Sequence, residues 1–313
     1  MNSRGRVIRL HGKQVVVVAD NEEITCRIAG RLKKGKRTSH SPVAVGDWVA
    51  FVHEEHSAED GKGPLGTVEE VEDRKTTLSR SSPHNTRIEQ VVAANVDQLL
   101  IMFSADDIEI HLALIDRLIV AAGLANLRAV LAVNKVDLPG SKNCRDLMRP
   151  YEDLDLPVVF LSALKSEGLE DLRKILKDRT TVFAGPSGVG KSTSLNALQP
   201  GLKLRTNEVK ATGAGRHTTT HVSLIPLDFG GFVVDTPGVR EFGLWNFPKD
   251  ELGLWYPEFN EYRTQCRYTG CTHTHEPECA VKLAAEDNSI DAARYERYVQ
   301  IFEELCEEET KPY

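Results

Sequence analysis

The sequence lacks an apolar run able to cross a bilayer. Its longest apolar region, residues 112–133, is broken by Asp116, Arg117 and Arg128, whereas a spanning helix needs about 20 residues with few or no charges. A secretory leader is not expected either: the opening MNSRGRVIRLHGK carries three arginines in its first nine residues and no uninterrupted apolar stretch behind them. Internal repeats and low-complexity tracts are missing, which argues against a fibrous or disordered chain. Cysteines are few, six in 313 residues, and three of them crowd into residues 266–279. With a cytoplasmic chain as the expectation, such crowding points to a metal rather than to disulfides. Cys26, Cys144 and Cys306 stand alone and read as packing residues.

What the chain has is length for about two domains and an uneven charge. The net formal charge is −7, yet residues 1–40 hold ten Lys or Arg against three acids. RIAGRLKKGKR at 27–37 is the densest basic stretch and EELCEEET at 303–310 the densest acidic one. Charge acts by region rather than by total, so the acidic sum does not exclude nucleic acid as a partner.

The first ~75 residues alternate short β-rich runs (RVIRL, QVVVVAD, EEITCRIAG, VGDWVAFV, LGTVEEVE) with Gly and charged turns, a spacing that predicts a small barrel. A five-stranded OB-type barrel fits, and an SH3-like barrel would read much the same. SRSSPHNTRIEQ at 79–90 reads as a hinge. Strands are then expected at 96–102, 128–133, 157–161, 180–184, 221–227 and 231–235. They alternate with helical patterns in LALIDRLIVAAG, CRDLMRPYEDL, GLEDLRKILKD and STSLNAL, the rhythm of an α/β doubly wound sheet. Beyond residue 240 comes aromatic-rich irregular sequence, the Cys cluster, and an amphipathic helix in IDAARYERYVQIFEELC. The expected units are a barrel at 1–78, an α/β P-loop domain at 88–242 and a metal-binding helical module at 243–313.

Chemistry concentrates in the middle unit. Gly185-Pro186-Ser187-Gly188-Val189-Gly190-Lys191-Ser192 satisfies G-x-x-x-x-G-K-[ST] between a strand and a helix, the context that this motif requires. Its N–H groups can curl around phosphates, with Lys191 at the outer phosphates and Ser192, followed by Thr193, at a magnesium ion. GGFVVDTPG at 230–238 places Asp235 at a strand end, able to hold magnesium through water, and Gly238 where its N–H meets the terminal phosphate. Asn134-Lys135-Val136-Asp137 supplies base specificity, since a carboxylate accepts both N1–H and the exocyclic amine of guanine. Ser162-Ala163, at another strand end, would back the base with a backbone N–H.

In an ordinary GTPase the phosphate loop precedes N-K-x-D, and here the order is reversed. A GTPase fold opened elsewhere requires its old C-terminal helix to run into the P-loop strand, and GLEDLRKILKDRTTVFAG does so. Close termini make such permutation feasible. With the preceding barrel, GAGRHTTT at 213–220 and the Cys/His cluster, the whole chain resembles the circularly permuted GTPases, and within them the ribosome small-subunit-dependent GTPase A family. The resemblance implies a factor that acts late in small-subunit maturation and hydrolyses GTP to GDP when stimulated by that subunit, with its ribosomal RNA as a partner.

Many GTPases place a glutamine after D-x-x-G to orient water; here Val239 stands there and cannot. His217 is the candidate for that task, from its place beside a threonine switch and from the resemblance. Thr218, Thr219 or Thr220 would reach magnesium, with Thr219 as the working choice. CRYTGCTHTHEPEC gives Cys266-x4-Cys271-x-His273-x5-Cys279, three thiolates and an imidazole suited to a closed tetrahedral zinc. His275 competes as a ligand, and the family spacing favours His273. The expected protein is a monomer that uses GTP, Mg²⁺ and one structural Zn²⁺ and makes no membrane contact. The rival readings are a P-loop ATPase or small-molecule kinase, an RNA-binding module with a vestigial nucleotide site, and a permuted GTPase of the large subunit.

Overall fold

The computed structural model describes residues 3–12, 14–20, 22–32, 42–53, 65–82, 85–202, 222–235 and 247–310. Five strands come first: β1 (Ser3–His11), β2 (Gln14–Ala19), β3 (Glu22–Ile28), β4 (Trp48–His53) and β5 (Leu65–Val71). β1 pairs antiparallel with both β2 and β4, β3 antiparallel with β2 and parallel with β5, and β4 antiparallel with β5. The sheet therefore closes on itself, which removes its edges. Inward positions two residues apart fill it, with Val7, Val15, Val17, Ile24, Cys26, Val49, Phe51 and Val68 all buried. Cys26 is thus a packing residue, as is Cys144 in the central core.

The expected hinge at 79–90 is not one. β6 (Thr77–Ser82) and β7 (Asn85–Ala94) pair antiparallel from Thr77↔Ala94 to Ser82↔Asn85. A serine-rich, polar sequence reads as a loop, but ladder hydrogen bonds come from the backbone, and buried Leu78, Ala93 and Ala94 fix the base of the hairpin.

The central domain alternates as expected: β8 (Gln98–Ser104), α1 (Leu112–Leu124), β9 (Arg128–Asn134), α2 (Cys144–Glu152), β10 (Val158–Phe160), α3 (Leu169–Leu176), β11 (Thr180–Ala184), α4 (Lys191–Leu198), β12 (Ser223–Pro226) and β13 (Phe232–Asp235). The spatial order is β10-β9-β8-β11-β13-β12, parallel except for β12. Every residue of β8 is buried, as a strand covered on both faces requires. Leu99, Ile101 and Phe103 pack in the same core as Ile115 and Leu118 of α1 and Met148 of α2, while Leu100 and Met102 pack with Leu172 of α3 and Leu195 of α4.

Barrel and central sheet are joined. Arg9 of β1 pairs with Ser223 of β12. Arg6, buried, donates to the Asn95 carbonyl (2.9 Å), and its guanidinium lies 4.8 Å from the Phe232 ring and 5.4 Å from the Trp48 ring. Burial lowers its pKa to about 10, so it stays charged at neutral pH.

The C-terminal part holds three 3-10 turns (Lys249–Trp255, Pro257–Phe259, Arg263–Gln265), then α5 (Ala280–Glu286), which the sequence pattern did not announce, and α6 (Ala292–Thr310). It docks through a buried ionic knot. Asp116 of α1 is 0 % exposed; its Oδ1 accepts from Arg294 and from the Tyr151 hydroxyl (2.8 Å), and its Oδ2 accepts from Arg297 (2.6 Å). Arg294 also pairs with Glu258 and lies 5.0 and 4.9 Å from the rings of Tyr151 and Tyr256. Removing one partner of such a cluster leaves buried charge uncompensated. Asp116→Ala is expected to cost roughly 3–5 kcal/mol in urea unfolding, against less than about 1 for the surface control Asp171→Ala; a loss as small as the control's would show that the knot does not hold the two parts together.

Candidate functional site

The loops that follow β8, β9, β10 and β11 emerge at one edge of the sheet, the carboxyl ends of parallel strands, where open α/β sheets bind ligands. The first glycine of the 185–192 loop has φ +127°, and a Cβ there would lie 2.0 Å from the Met102 carbonyl oxygen. Gly190 has φ +99°, and its Cβ would lie 2.1 Å from Asn134 Nδ2. Both positions require glycine for conformation and for close approach. α4 starts immediately after, at Lys191, so its unsatisfied N–H groups and dipole face the loop. The Lys191 ammonium folds into the loop and donates to the Gly185 and Pro186 carbonyls, both at 2.7 Å. Ser187 and Gly188 are exposed, Ser192 is half-buried and Thr193 exposed at the helix start, and Val189 is buried among the residues under the loop.

Asn134 is 2 % exposed and ties three loops. Its Nδ2 donates to the Val189 carbonyl (2.7 Å), and its Oδ1 accepts the Ala163 N–H (3.1 Å). That N–H, expected to back a base, is therefore engaged by Asn134 in this structure. Lys135 follows at φ +62°, and the Val136 N–H bonds the Leu161 carbonyl (3.3 Å). The Ser162 hydroxyl bonds Asp137 and holds its carboxyl below the usual range, keeping it ionised; the Lys165 N–H in turn bonds Ser162 Oγ at 3.2 Å. The structure thus brings together Asn134, Lys135, Val136, Asp137, Ser162, Ala163 and the 185–193 segment. Asp235 stands exposed at the end of β13, the strand parallel to β11. His217, Thr218, Thr219, Thr220, Gly238 and Val239 lie outside the described residues.

A second cluster lies in the C-terminal part. One ligand atom from each of Cys266, Cys271, His273 and Cys279 falls within 4.8 Å of the others. Cys266 and Cys279 sulfurs are 3.9 Å apart, and His273 Nδ1 is 3.5 and 3.4 Å from them. A tetrahedral ion with metal–sulfur distances near 2.3 Å and metal–nitrogen near 2.0 Å needs edges of roughly 3.8 and 3.5 Å. The set therefore fits one closed four-coordinate metal and has the donor chemistry zinc prefers. Burial keeps His273 neutral, as a ligand must be. His275 is not in the group; its Nδ1 meets Thr274 Oγ1 at 3.0 Å.

The sequence reading missed the groups that hold this loop. Glu276 accepts the Thr272 N–H and hydroxyl (2.7 Å each) and the Thr274 N–H (3.2 Å). Burial alone would raise its pKa, but these bonds overcome that and bring it down to about 2. The Tyr295 and Tyr298 hydroxyls donate to the His273 and Thr272 carbonyls at 2.8 and 2.5 Å. A glutamate inside C-T-H-T-H-E is a visible signal; phenols some twenty residues downstream are not.

With this geometry in place, comparison with known proteins is decisive. The sequence profile of the RsgA GTPase family matches residues 71–245. The proteins named small ribosomal subunit biogenesis GTPase RsgA from Chlorobaculum parvum and Thermotoga neapolitana are each 38 % identical, over 97 % of this chain and 98 % and 97 % of theirs. The chain belongs to the RsgA GTPase family. The crystal structure of YjeQ from Thermotoga maritima superposes with a TM-score of 0.79 at 35 % identity, over 98 % of this chain and 99 % of that one. YloQ, described as a circularly permuted GTPase, gives 0.74 at 30 %, over 100 % and 97 %. The RsgA-family fold is therefore the closed barrel, permuted GTPase sheet and Cys3His module described above.

Two substitutions probe the geometry. Gly190→Ala, strained in φ and overlapping Asn134, is expected to weaken guanosine diphosphate binding at least about tenfold by calorimetry; retained affinity would dissociate Asn134 from the phosphate loop. Cys279→Ser is expected to reduce bound metal from one equivalent per chain to a small fraction by atomic emission, whereas a metal-free wild type would remove the centre altogether.

Proposed function

We propose that this RsgA-family protein binds the small ribosomal subunit and hydrolyses GTP to GDP and phosphate there during late subunit maturation. The observation that carries the reading is the Asn134 junction, which ties the phosphate loop to the N-K-V-D and Ser162-Ala163 loops in a chain whose full-length relatives bear the small-subunit biogenesis name. Asp137 and its neighbours recognise guanine, with Asn134 and Ala163 sharing hydrogen bonds behind it. The N–H groups of Gly185 to Thr193 and the ammonium of Lys191 receive the phosphates. Ser192 and Thr219 ligate Mg²⁺, Asp235 holds it through water, and Gly238 donates to the terminal phosphate.

Because Val239 stands where an orienting glutamine would be, His217 positions the attacking water, and fast turnover waits for the subunit. The Cys266, Cys271, His273, Cys279 set holds Zn²⁺ with no open position, so the ion shapes a binding surface rather than taking part in hydrolysis. The barrel at 1–78 and the module at 243–313 flank the GTPase unit at 88–242 and grip ribosomal RNA by phosphate contacts that weaken with salt. The protein acts as a cytoplasmic monomer; no helix among the described residues is long and apolar enough to cross a membrane.

Steady-state hydrolysis with purified small subunits, large subunits or neither tests this. Turnover is expected to be slow alone and faster with small subunits by up to the order of 10³–10⁵ that supplied groups give GTPases, and His217→Ala should lose most of that stimulation. Equal rates in all three would overturn the proposal, and stimulation by large subunits alone would move the protein to the other particle. Asp137→Asn should exchange preference from GTP toward xanthosine triphosphate, because the amide donates to the C2 carbonyl that replaces guanine's amine; unchanged GTP affinity would place Asp137 away from the base.

A further inference from the structure

We propose that Glu276 is a positioning residue for the metal centre, selecting His273 over the nearby His275 as its imidazole ligand. The inference rests on the zinc reading above and adds to it a residue outside the ligand set.

The spacing of C-T-H-T-H-E offers a metal either histidine, so the folded loop has to decide between them. His273 sits at φ +61°, a left-handed conformation that a residue other than glycine keeps only when its surroundings impose it. Both peptide planes that meet at its Cα are pinned. The Thr272 carbonyl accepts from the Tyr298 hydroxyl at 2.5 Å, and the His273 carbonyl from the Tyr295 hydroxyl at 2.8 Å. On the N–H side, Glu276 Oε1 accepts from Thr272 (2.7 Å) and Oε2 from Thr274 (3.2 Å), so one carboxylate straddles the histidine. The imidazole that this backbone presents meets Phe259 edge-on, with 5.7 Å between ring centroids.

The same carboxylate begins a hydrogen-bond chain that ends on His275. Thr272 Oγ1 lies 2.7 Å from Glu276 Oε1 and 2.8 Å from Thr274 Oγ1, which in turn lies 3.0 Å from His275 Nδ1. An ionised carboxylate only accepts, and each hydroxyl has one hydrogen to give. Thr272 therefore donates to Glu276, Thr274 donates to Thr272, and His275 donates its Nδ1–H to Thr274. Protonated there, Nδ1 of His275 has no lone pair for a metal, and the ring is anchored on Thr274. Without the carboxylate the chain loses its direction and the two N–H groups lose their acceptor. Nothing then favours one histidine so strongly over the other.

The test is zinc binding to the full-length chain by competition with a chromophoric chelator, with the ligating ring identified from long-range proton–nitrogen NMR spectra of the zinc-loaded protein. In the wild type one metal-bound imidazole is expected, its signal lost in His273→Ala and kept in His275→Ala; the reverse pattern overturns the proposal. Glu276→Ala is expected to weaken zinc about 10-fold to 100-fold, the range for groups that orient metal ligands. It should also show a second metal-bound imidazole that disappears when His275→Ala is added. Glu276→Gln, whose Oε1 still serves Thr272 while its amide cannot accept from Thr274, should fall between the two, and it carries the test if Glu276→Ala does not fold. Wild-type affinity with His273 alone bound overturns the proposal. So does a weakened site in which His273 remains the one bound imidazole, since Glu276 would then support the loop without choosing the ligand. If the wild type takes up no zinc, the metal reading fails instead.

Discussion

The nucleotide end of this molecule depends on one buried amide. Asn134 has to donate to the phosphate loop and accept from the Ser162-Ala163 loop at once. Aspartate of the same length offers no donor, and a longer glutamine would not fit where Gly190 already approaches Nδ2 so closely that a methyl group cannot be inserted. The glycine at 190 and the buried position at the end of β9 follow from that requirement. The contact joins residues 55 and 29 apart in sequence, and it is indifferent to which comes first. Circular permutation changes connections while leaving the spatial order of the strands, and with it this junction, in place.

What permutation does change is what lies beside the cut. β12, which the chain enters from the GAGRHTTT segment, is next to β1 of the barrel. β13, which ends at Asp235, carries the Phe232 ring under Arg6. The barrel thus touches the two strands β12 and β13. The C-terminal part is held by Asp116 of α1, whose ionised partners are buried at a desolvation cost of several kcal/mol per ion. Such a cluster adds less to stability than its attraction suggests, but it tolerates few alternative arrangements, and orientation is what a module seated on a GTPase domain requires.

The motifs were legible because each is local: a glycine loop between strand and helix, a polar tetrapeptide at a strand end, thiols spaced within one loop. The complete burial of β8 was likewise readable from its apolar run. Other features failed for equally physical reasons. Residues 79–90 look like a linker by composition, yet fall in the paired strands of a hairpin. Asp116 was legible only as a charge breaking an apolar helix, since its partners Arg294 and Arg297 are 178 and 181 residues away.

Helix α6 links these separate observations. Arg294 and Arg297 reach Asp116 from one side, and Tyr295 and Tyr298 reach the carbonyls of His273 and Thr272 from the neighbouring side. Residues three and four apart share a helical face, so a single rigid element reads the GTPase domain on one stripe and the metal loop on the next. The phenols bond backbone oxygens rather than the ligand atoms, and the arginines are anchored independently of the metal. Loss of the ion would therefore loosen the 266–279 loop while leaving α6 seated on α1. Conversely, a shift of α1 would carry α6, and with it the metal loop, as one body. The firmer attachment of α6 is the one to α1, because the buried charges there cannot part without being left unpaired.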